Sequence, residues 1–182
     1  MGVRYPTELN LWGDVRATLQ ALIPHLETKT DLSWQNGIAE EMRGWSKEME
    51  AQAMISYPDG ANPRRVYHEL NKRLPDGAIV TADAGTTADW YGHHIGLRRG
   101  MKGDLSGRLA SMLAAMPYAV AAKFAFSDRA VICTIGDGAF QMLGMNELIT
   151  VKKYLKKWDN PQLIVLVPVS YTHLTLPTNR EV

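Results

Sequence analysis

An aspartate between two glycines, Gly136-Asp137-Gly138, follows directly on the apolar run Val131-Ile132-Cys133-Thr134-Ile135. The run is short, β-branched and bounded by glycine, so it reads as a strand buried on both faces. A helical period begins at Phe140. A strand, a glycine turn and a helix start therefore meet at one carboxylate, at the carboxyl end of a strand, where open α/β sheets bind ligands. The first turn of such a helix offers unpaired backbone N–H groups to an anion, and glycine lets a phosphate approach the backbone closely. Asp137 can then hold a hard divalent cation against that phosphate. Magnesium suits the arrangement, because it takes oxygen ligands and shares a few carboxylates with substrate phosphates. The bland alternative is an Asp-Gly turn closing a strand, which occurs in any fold.

Other residues with chemical potential carry less. Cys133, the single cysteine, lies inside the apolar run, so it reads as a small core residue, and a disulfide framework or cysteine metal site is excluded. His93 and His94 are adjacent and diverge by about 100° on a helix, so they do not both face one metal as an i,i+4 pair does. With 20 Lys+Arg against 19 Asp+Glu, there is no electrostatic footprint for nucleic acid or an anionic membrane. Lys152, Lys153, Lys156 and Lys157 form the one basic cluster, late in a predicted helix, where cations complement the helix dipole. No signal peptide or membrane span is read in the sequence, and a cytoplasmic location is the expectation.

The elements that must position Asp137 are legible in four pieces of the 182-residue chain. From Val3 to Leu26, a Gly13-Asp14 turn precedes Val15, Leu19, Leu22 and Ile23 at helical spacing. From Trp34 to Met54 an amphipathic helix carries Ile38, Met42, Trp45 and Met49 on one face, a stripe that reads as packing. The polar turn Tyr57-Pro58-Asp59-Gly60 marks a boundary. Asn62 then caps a helix with Pro63 at its first position and Val66, Leu70 and Leu74 along its length. A strand from Ala78 to Thr81 leads into the loop Asp83-Ala84-Gly85-Thr86-Thr87 and a helix carrying Trp90. Ser106-Gly107 opens a small-residue segment, Ala110 to Ala122, interrupted at Pro117. After the Val131 strand, one helix is predicted from Phe140 to Leu155, with Leu148, Val151 and Leu155 on one face, and a last strand from Leu163 to Val167. Strands alternating with helices imply a parallel sheet.

Three ordered motifs now resemble a known family. They are Thr81-Ala82-Asp83-Ala84-Gly85-Thr86-Thr87-Ala88-Asp89-Trp90, then Ser106-Gly107-Arg108-Leu109-Ala110-Ser111-Met112 with Pro117, then Gly136-Asp137-Gly138-Ala139-Phe140-Gln141-Met142 with Glu147-Leu148. Their order and spacing are similar to those of thiamine-diphosphate enzymes of the pyruvate oxidase and acetolactate synthase group. The resemblance implies an α/β fold, a parallel sheet with flanking helices, here incomplete. It implies a division into residues 1–28 as the remnant of a middle domain, 29–60 as a linker with an amphipathic helix, and 61–167 as a truncated diphosphate-binding domain. It makes Asp137 a magnesium ligand, with Gly136, Gly138 and Ala139 giving backbone contacts to the diphosphate. Gly85, Thr86 and Thr87 would hold the diphosphate from the opposite side, and Met112 would prop the cofactor in a bent shape. The alternative for Met112 is an ordinary core methionine. Family members usually carry glycines where this chain has Ala110, Leu113 and Ala115.

The activity implied is decarboxylation of a 2-oxo acid such as pyruvate, the resulting enamine passing to an acceptor, with the acceptor and any FAD dependence open. The intact protein would be a homodimer or homotetramer. No catalytic residue is assigned, because the activating glutamate of the family belongs to an N-terminal domain of the partner subunit; Glu147, about two helical turns beyond the diphosphate turn, reads as structural. The family's second metal ligand is an asparagine at the end of the next strand, where this chain has Pro168, Val169 and Ser170. Residues 168–182 lack a helical stripe and resemble translated adapter DNA, so a non-native tail and an inactive isolated fragment are the expectation. Two further readings stay open: a nucleotide-phosphate-binding α/β module, against which the absence of G-x-G-x-x-G and G-x-x-x-x-G-K-[ST] patterns counts, and a degenerate domain without a metal site.

Overall fold

The computed structural model describes residues 5–58 and 60–169. They fall into two compact units that divide between Gly44 and Trp45. In the first unit, Asp14 caps helix α1 (Val15–Leu22) by accepting the Ala17 N–H at 2.9 Å, and a 3₁₀ turn at Ile23–His25 follows. Val15, Leu19, Leu22 and Ile23, spaced for a helix, are all exposed. Helix α2 (Ser33–Met54) begins in this unit and ends in the second. Of its expected packing stripe only Met49 is buried, joined by Ala53, while Ile38, Met42 and Trp45 are exposed. Periodicity identified the helix but not how much of its apolar face the described residues cover.

The second unit is built on a four-stranded parallel sheet of order β2-β1-β3-β4, with β1 Ile79–Ala82, β2 Lys102–Leu105, β3 Val131–Thr134 and β4 Leu163–Leu166. Asn62 caps α3 (Pro63–Arg73) as expected, accepting the Arg64 N–H while its own amide donates to the carbonyls at the end of α2. Tyr67 is the fully buried residue of α3, while Val66, one of the apolar residues stepping along the helix, is exposed. Alternation along the strands divides the interior in two. Ile79, Val131 and Cys133 pack under α5 (Ala115–Ala125), and Val80, Ala82 and Ile132 pack with Tyr67 of α3 and Tyr91 of α4 (Thr86–His94). Cys133 is fully buried, and burial pushes its thiol up to about 12, as an unreactive core residue requires.

Several expectations are corrected. Strand β2 is absent from the sequence reading, because Lys-Gly-Asp-Leu at a sheet edge is exposed over most of its length and carries no apolar pattern. Pro117 does not interrupt its segment: it sits in the first turn of α5, where its missing N–H had no helical partner to lose. The preceding residues, Ala110 to Ala114, are not helical, and Ala110 and Leu113 lie at φ 49° and 75°. The single helix expected from Phe140 to Leu155 starts earlier and is broken. It becomes α6 (Asp137–Met142), a 3₁₀ turn at Gly144–Asn146 and α7 (Glu147–Tyr154). The break accompanies close packing at Gly144, where a Cβ would lie 2.8 Å from the Phe140 ring and 3.3 Å from Ile135. The tail from residue 170 onward, and Asp59 of the boundary turn, lie outside the described residues.

His94 supplies a pH signature. It is buried on α4, with the rings of His68 (α3) and His93 each 6.4 Å away, and Arg64 also raises the local potential. Burial first, then these cations, push its pKa down from 6.5 to about 4. Between those values the unfolded chain holds a proton that the folded chain excludes. Stability is therefore full above about pH 6.5 and falls toward pH 4, by about 2 kcal/mol once solvent screening is allowed for. Urea midpoints at pH 7.5 and pH 5 should differ accordingly in the wild type, and His94→Leu should flatten the difference. An equal pH dependence in both proteins would remove His94 as its source.

Candidate functional site

The chain leaves β1 through α4 to β2 on one side, then returns over α5 to β3 on the other side of β1. The gap between β1 and β3 is thus the point where the strand order reverses, and ligands of open α/β sheets bind at the carboxyl ends of the strands there. Register makes the neighbourhood definite. Ala82 pairs with Thr134, and the Asp83 N–H continues the ladder to the Thr134 carbonyl at 2.9 Å. The loops after the two strands, Asp83–Gly85 and Ile135–Gly136, therefore leave side by side, about 5 Å apart as neighbouring strands are.

Each loop feeds a helix. Gly85 is the N-cap of α4 at φ 80° and ψ −153°, a conformation open to glycine, and Gly136 is the N-cap of α6. Gly136 itself adopts an ordinary extended conformation, φ −67° and ψ 153°, that any residue can take. A Cβ added at Gly85, Gly136 or Gly138 would meet no protein atom within 4 Å. Packing within the described chain does not require glycine at Gly136 or Gly138, and the space beside them is open. Gly85, Thr86 and Gly138 are exposed, Asp137 is half-buried in the first turn of α6, and Ala139 is buried. Thr87 is buried and donates its hydroxyl to the carbonyls of Asp83 and Ala84, each at 3.0 Å, so it braces the turn.

Met112 lies in the segment before α5, which is bonded to the end of β1. It is 46% exposed, and the core methionine of this region is Met116, which is fully buried. The alternative reading of Met112 as core is thereby set aside. Its segment is tied to β1: the Asp83 carboxylate accepts the N–H groups of Leu113 at 3.1 Å and Ala115 at 3.4 Å, and the Thr81 hydroxyl donates to the Ala115 carbonyl at 2.9 Å. Ala110 and Leu113, on either side of Met112, occupy the left-handed region, which costs about 1 kcal/mol each for a residue with a Cβ. These are two of the three positions where the resemblance leads one to expect glycine. Asp83, fully buried, is the residue that sequence reasoning passed over as part of a loop. Its only sequence signal is a charged residue directly after a buried strand.

Among the described residues no three His, Cys, Asp or Glu side chains gather as a metal cage, and Asp137 is the carboxylate at this turn. Magnesium bound with a diphosphate takes one or two protein ligands besides phosphate and water oxygens; Asp137 offers one carboxylate here, and at the end of β4, where the resemblance expects a second ligand, the chain has Pro168 and Val169. Glu147 begins α7, beyond the break at Leu143.

Residues 83–164 match the family model described as "Thiamine pyrophosphate enzyme, C-terminal TPP binding domain". The chain is 29% identical over 155 residues to the acetolactate synthase isozyme 2 large subunit of Escherichia coli, an overlap of 81% of this chain and 27% of that protein. It is 34% identical over 143 residues to the acetolactate synthase large subunit IlvG of Mycobacterium tuberculosis, covering 77% and 25%. Over 98 residues it is 40% identical to an acetolactate synthase of Arthrospira platensis, covering 53% and 16%. The chain spans about a quarter of the length of the curated relatives it matches. No helix among the described residues is long and apolar enough to cross a membrane.

Proposed function

Because the chain belongs to the thiamine-pyrophosphate-dependent enzymes, we propose that it carries the thiamine diphosphate and magnesium site of an enzyme that decarboxylates a 2-oxo acid such as pyruvate. The observation that carries this reading is the pair of glycine turns leaving β1 and β3 side by side, with vacant space where their side chains would be. In it, the first-turn amides of α6 at Gly136, Gly138 and Ala139 receive the diphosphate, where the helix dipole favours an anion. The Gly85-Thr86-Thr87 turn closes on it from the α4 side, chiefly through backbone groups, since the Thr87 hydroxyl is already donated inward. Asp137 anchors magnesium, and the exposed Met112 side chain supports the middle of the cofactor. Bound there, thiamine diphosphate supplies the carbanion chemistry, and the protein supplies grip, orientation and exclusion of water.

The relatives named acetolactate synthase favour transfer to a second oxo acid over oxidation. Under this proposal residues 61–167 are the cofactor domain and residues 1–28 the end of a preceding one. The proton-abstracting glutamate comes from another domain, in a homodimer or homotetramer in the cytoplasm. FAD binding would fall outside this segment.

Calorimetric titration of the chain with thiamine diphosphate and magnesium, against ADP and magnesium as control, tests the reading. Tight ADP binding without a response to thiamine diphosphate would favour the nucleotide-binding module instead. Gly138→Ala gives a sharper result. Alanine suits the first turn of α6 and fills open space, so the variant should be as stable as the wild type or better by about 0.5 kcal/mol. Its methyl group would stand where the diphosphate approaches, and affinity should drop about tenfold or more. Undiminished affinity would remove Gly138 from the site.

A further inference from the structure

Resting on the cofactor reading above, we infer that Asp83 is a positioning residue of the site: its carboxylate clamps the segment that carries Met112 and sets the direction in which Met112 is presented. Asp83 is fully buried at the end of β1 and spends its two oxygens on two backbone amides, Leu113 at 3.1 Å and Ala115 at 3.4 Å. Those amides bracket the start of α5. The N-cap residue there is Ala114, whose side chain can cap nothing, so a carboxylate from a neighbouring strand does so in its place. Thr81, two residues earlier on the same face of β1, holds the carbonyl of Ala115. Ala115 is thus fixed through both its N–H and its C=O.

The clamp bears directly on Met112. Leu113 sits at φ 75° and Ala110 at φ 49°, conformations that persist in non-glycine residues only where surrounding structure over-determines them. Asp83 supplies that constraint on the α5 side of Met112. On the other side, the Ser106 hydroxyl accepts the Ser111 N–H at 3.1 Å, and the Ser111 hydroxyl donates to the Met112 carbonyl at 3.2 Å. Releasing the carboxylate frees one wall of this turn, and Leu113 can then relax toward negative φ and carry Met112 away. The Gly136 turn depends on other bonds, the Ile135 N–H to Leu166 and the Phe140 N–H to Gly136, and stays in place. Asp83 therefore acts on the part of the cofactor that Met112 supports and not on the diphosphate.

This separation makes the inference testable in the full chain with two probes, thiamine diphosphate and inorganic pyrophosphate, each with magnesium. In Asp83→Asn, affinity for thiamine diphosphate should fall about tenfold or more, while affinity for pyrophosphate stays within about twofold. Met112→Ala, a change at an exposed side chain, should give the same split. Hydrogen exchange reads the clamp without any ligand: the Leu113 and Ala115 amides should be protected in the wild type and fast in Asp83→Asn, with β1 and β3 amides unchanged. A parallel loss for both probes would mean that Asp83 only supports the fold, and overturns the inference, as does equal thiamine diphosphate affinity in wild type and variant. If Asp83→Asn fails to fold, fast exchange at Leu113 and Ala115 in the wild type still overturns it, and protection there with the Met112→Ala split upholds it. A wild type that shows the protection but binds neither probe overturns the cofactor reading, and the positioning role with it.

Discussion

Asp137→Ala is expected to abolish the magnesium dependence of thiamine diphosphate binding, with a loss of affinity of about a hundredfold or more in saturating magnesium, equivalent to about 2.7 kcal/mol. The proposed site offers an anion only backbone dipoles and this one metal anchor, so removing Asp137 takes away the bridge between protein and diphosphate. The fold should survive. Asp137 begins α6, where a carboxylate complements the helix dipole by about 0.3–1 kcal/mol. A second arm follows from charge. In EDTA the carboxylate repels the diphosphate, so wild type and Asp137→Ala should bind equally weakly, or the variant slightly better. Calorimetry with and without magnesium reads all of this, and an unchanged response to magnesium in the variant would take the metal role away from Asp137.

The largest effect on stability is expected at the opposite edge of the sheet. Lys123, in the last turn of α5, is fully buried, and its ammonium donates to the carbonyls of Ser127 at 3.2 Å, Arg129 at 2.7 Å and Asn160 at 2.5 Å. It also lies over the Trp158 ring at 5.4 Å. These carbonyls belong to the segments that enter β3 and β4, so one side chain joins the helix to the start of two strands. Burial pushes its pKa down, and Asp128 and Asp159 pull it back up. Lys123→Met keeps the length of the stem and removes every donor. The carbonyls of Arg129 and Asn160 then lose their partner, at about 1–3 kcal/mol each, that of Ser127 keeps the Asn160 N–H at 2.9 Å, and the desolvation penalty of the ammonium is recovered. A net loss of about 3 kcal/mol is expected, or roughly 6–12 °C in Tm for a chain of this size. Lys152→Met, on the exposed last turn of α7, should stay within about 0.5 kcal/mol. Equal melting of the two variants would show that the Lys123 carbonyls find other partners.

Lys123 and Asp83 also mark what could not be read from the chain alone. Both looked like ordinary charged residues, one late in a small-residue segment and one in a loop. The partners of Asp83 lie 30 and 32 residues away and one of the three partners of Lys123 lies 37 away, and no local pattern encodes such pairings. Strand β2 escaped for a related reason: an edge strand need be apolar on neither face, so its identity comes from pairing with β1. The break at Leu143 follows from the fit of Gly144 against Phe140 and Ile135, a contact that helical periodicity does not contain.

What local chemistry dictates was legible. The β-branched run at Val131 can be satisfied only as a strand buried on both faces, and Asn62-Pro63 only as a helix start. The glycines around Asp137, and Gly85 after the first strand, marked turns at the strand ends, because each is a property of one or two residues. Three motifs in order were enough to point to the family, and with it to the parallel α/β sheet. Tertiary structure alone decided that β1 and β3 are neighbours, so that two distant glycine turns leave the sheet side by side. It alone left Met112 exposed and bent Ala110 and Leu113 into conformations their own side chains disfavour. Those outcomes depend on strand order and on buried long-range bonds, whose energies belong to the assembled sheet and to no segment of the sequence.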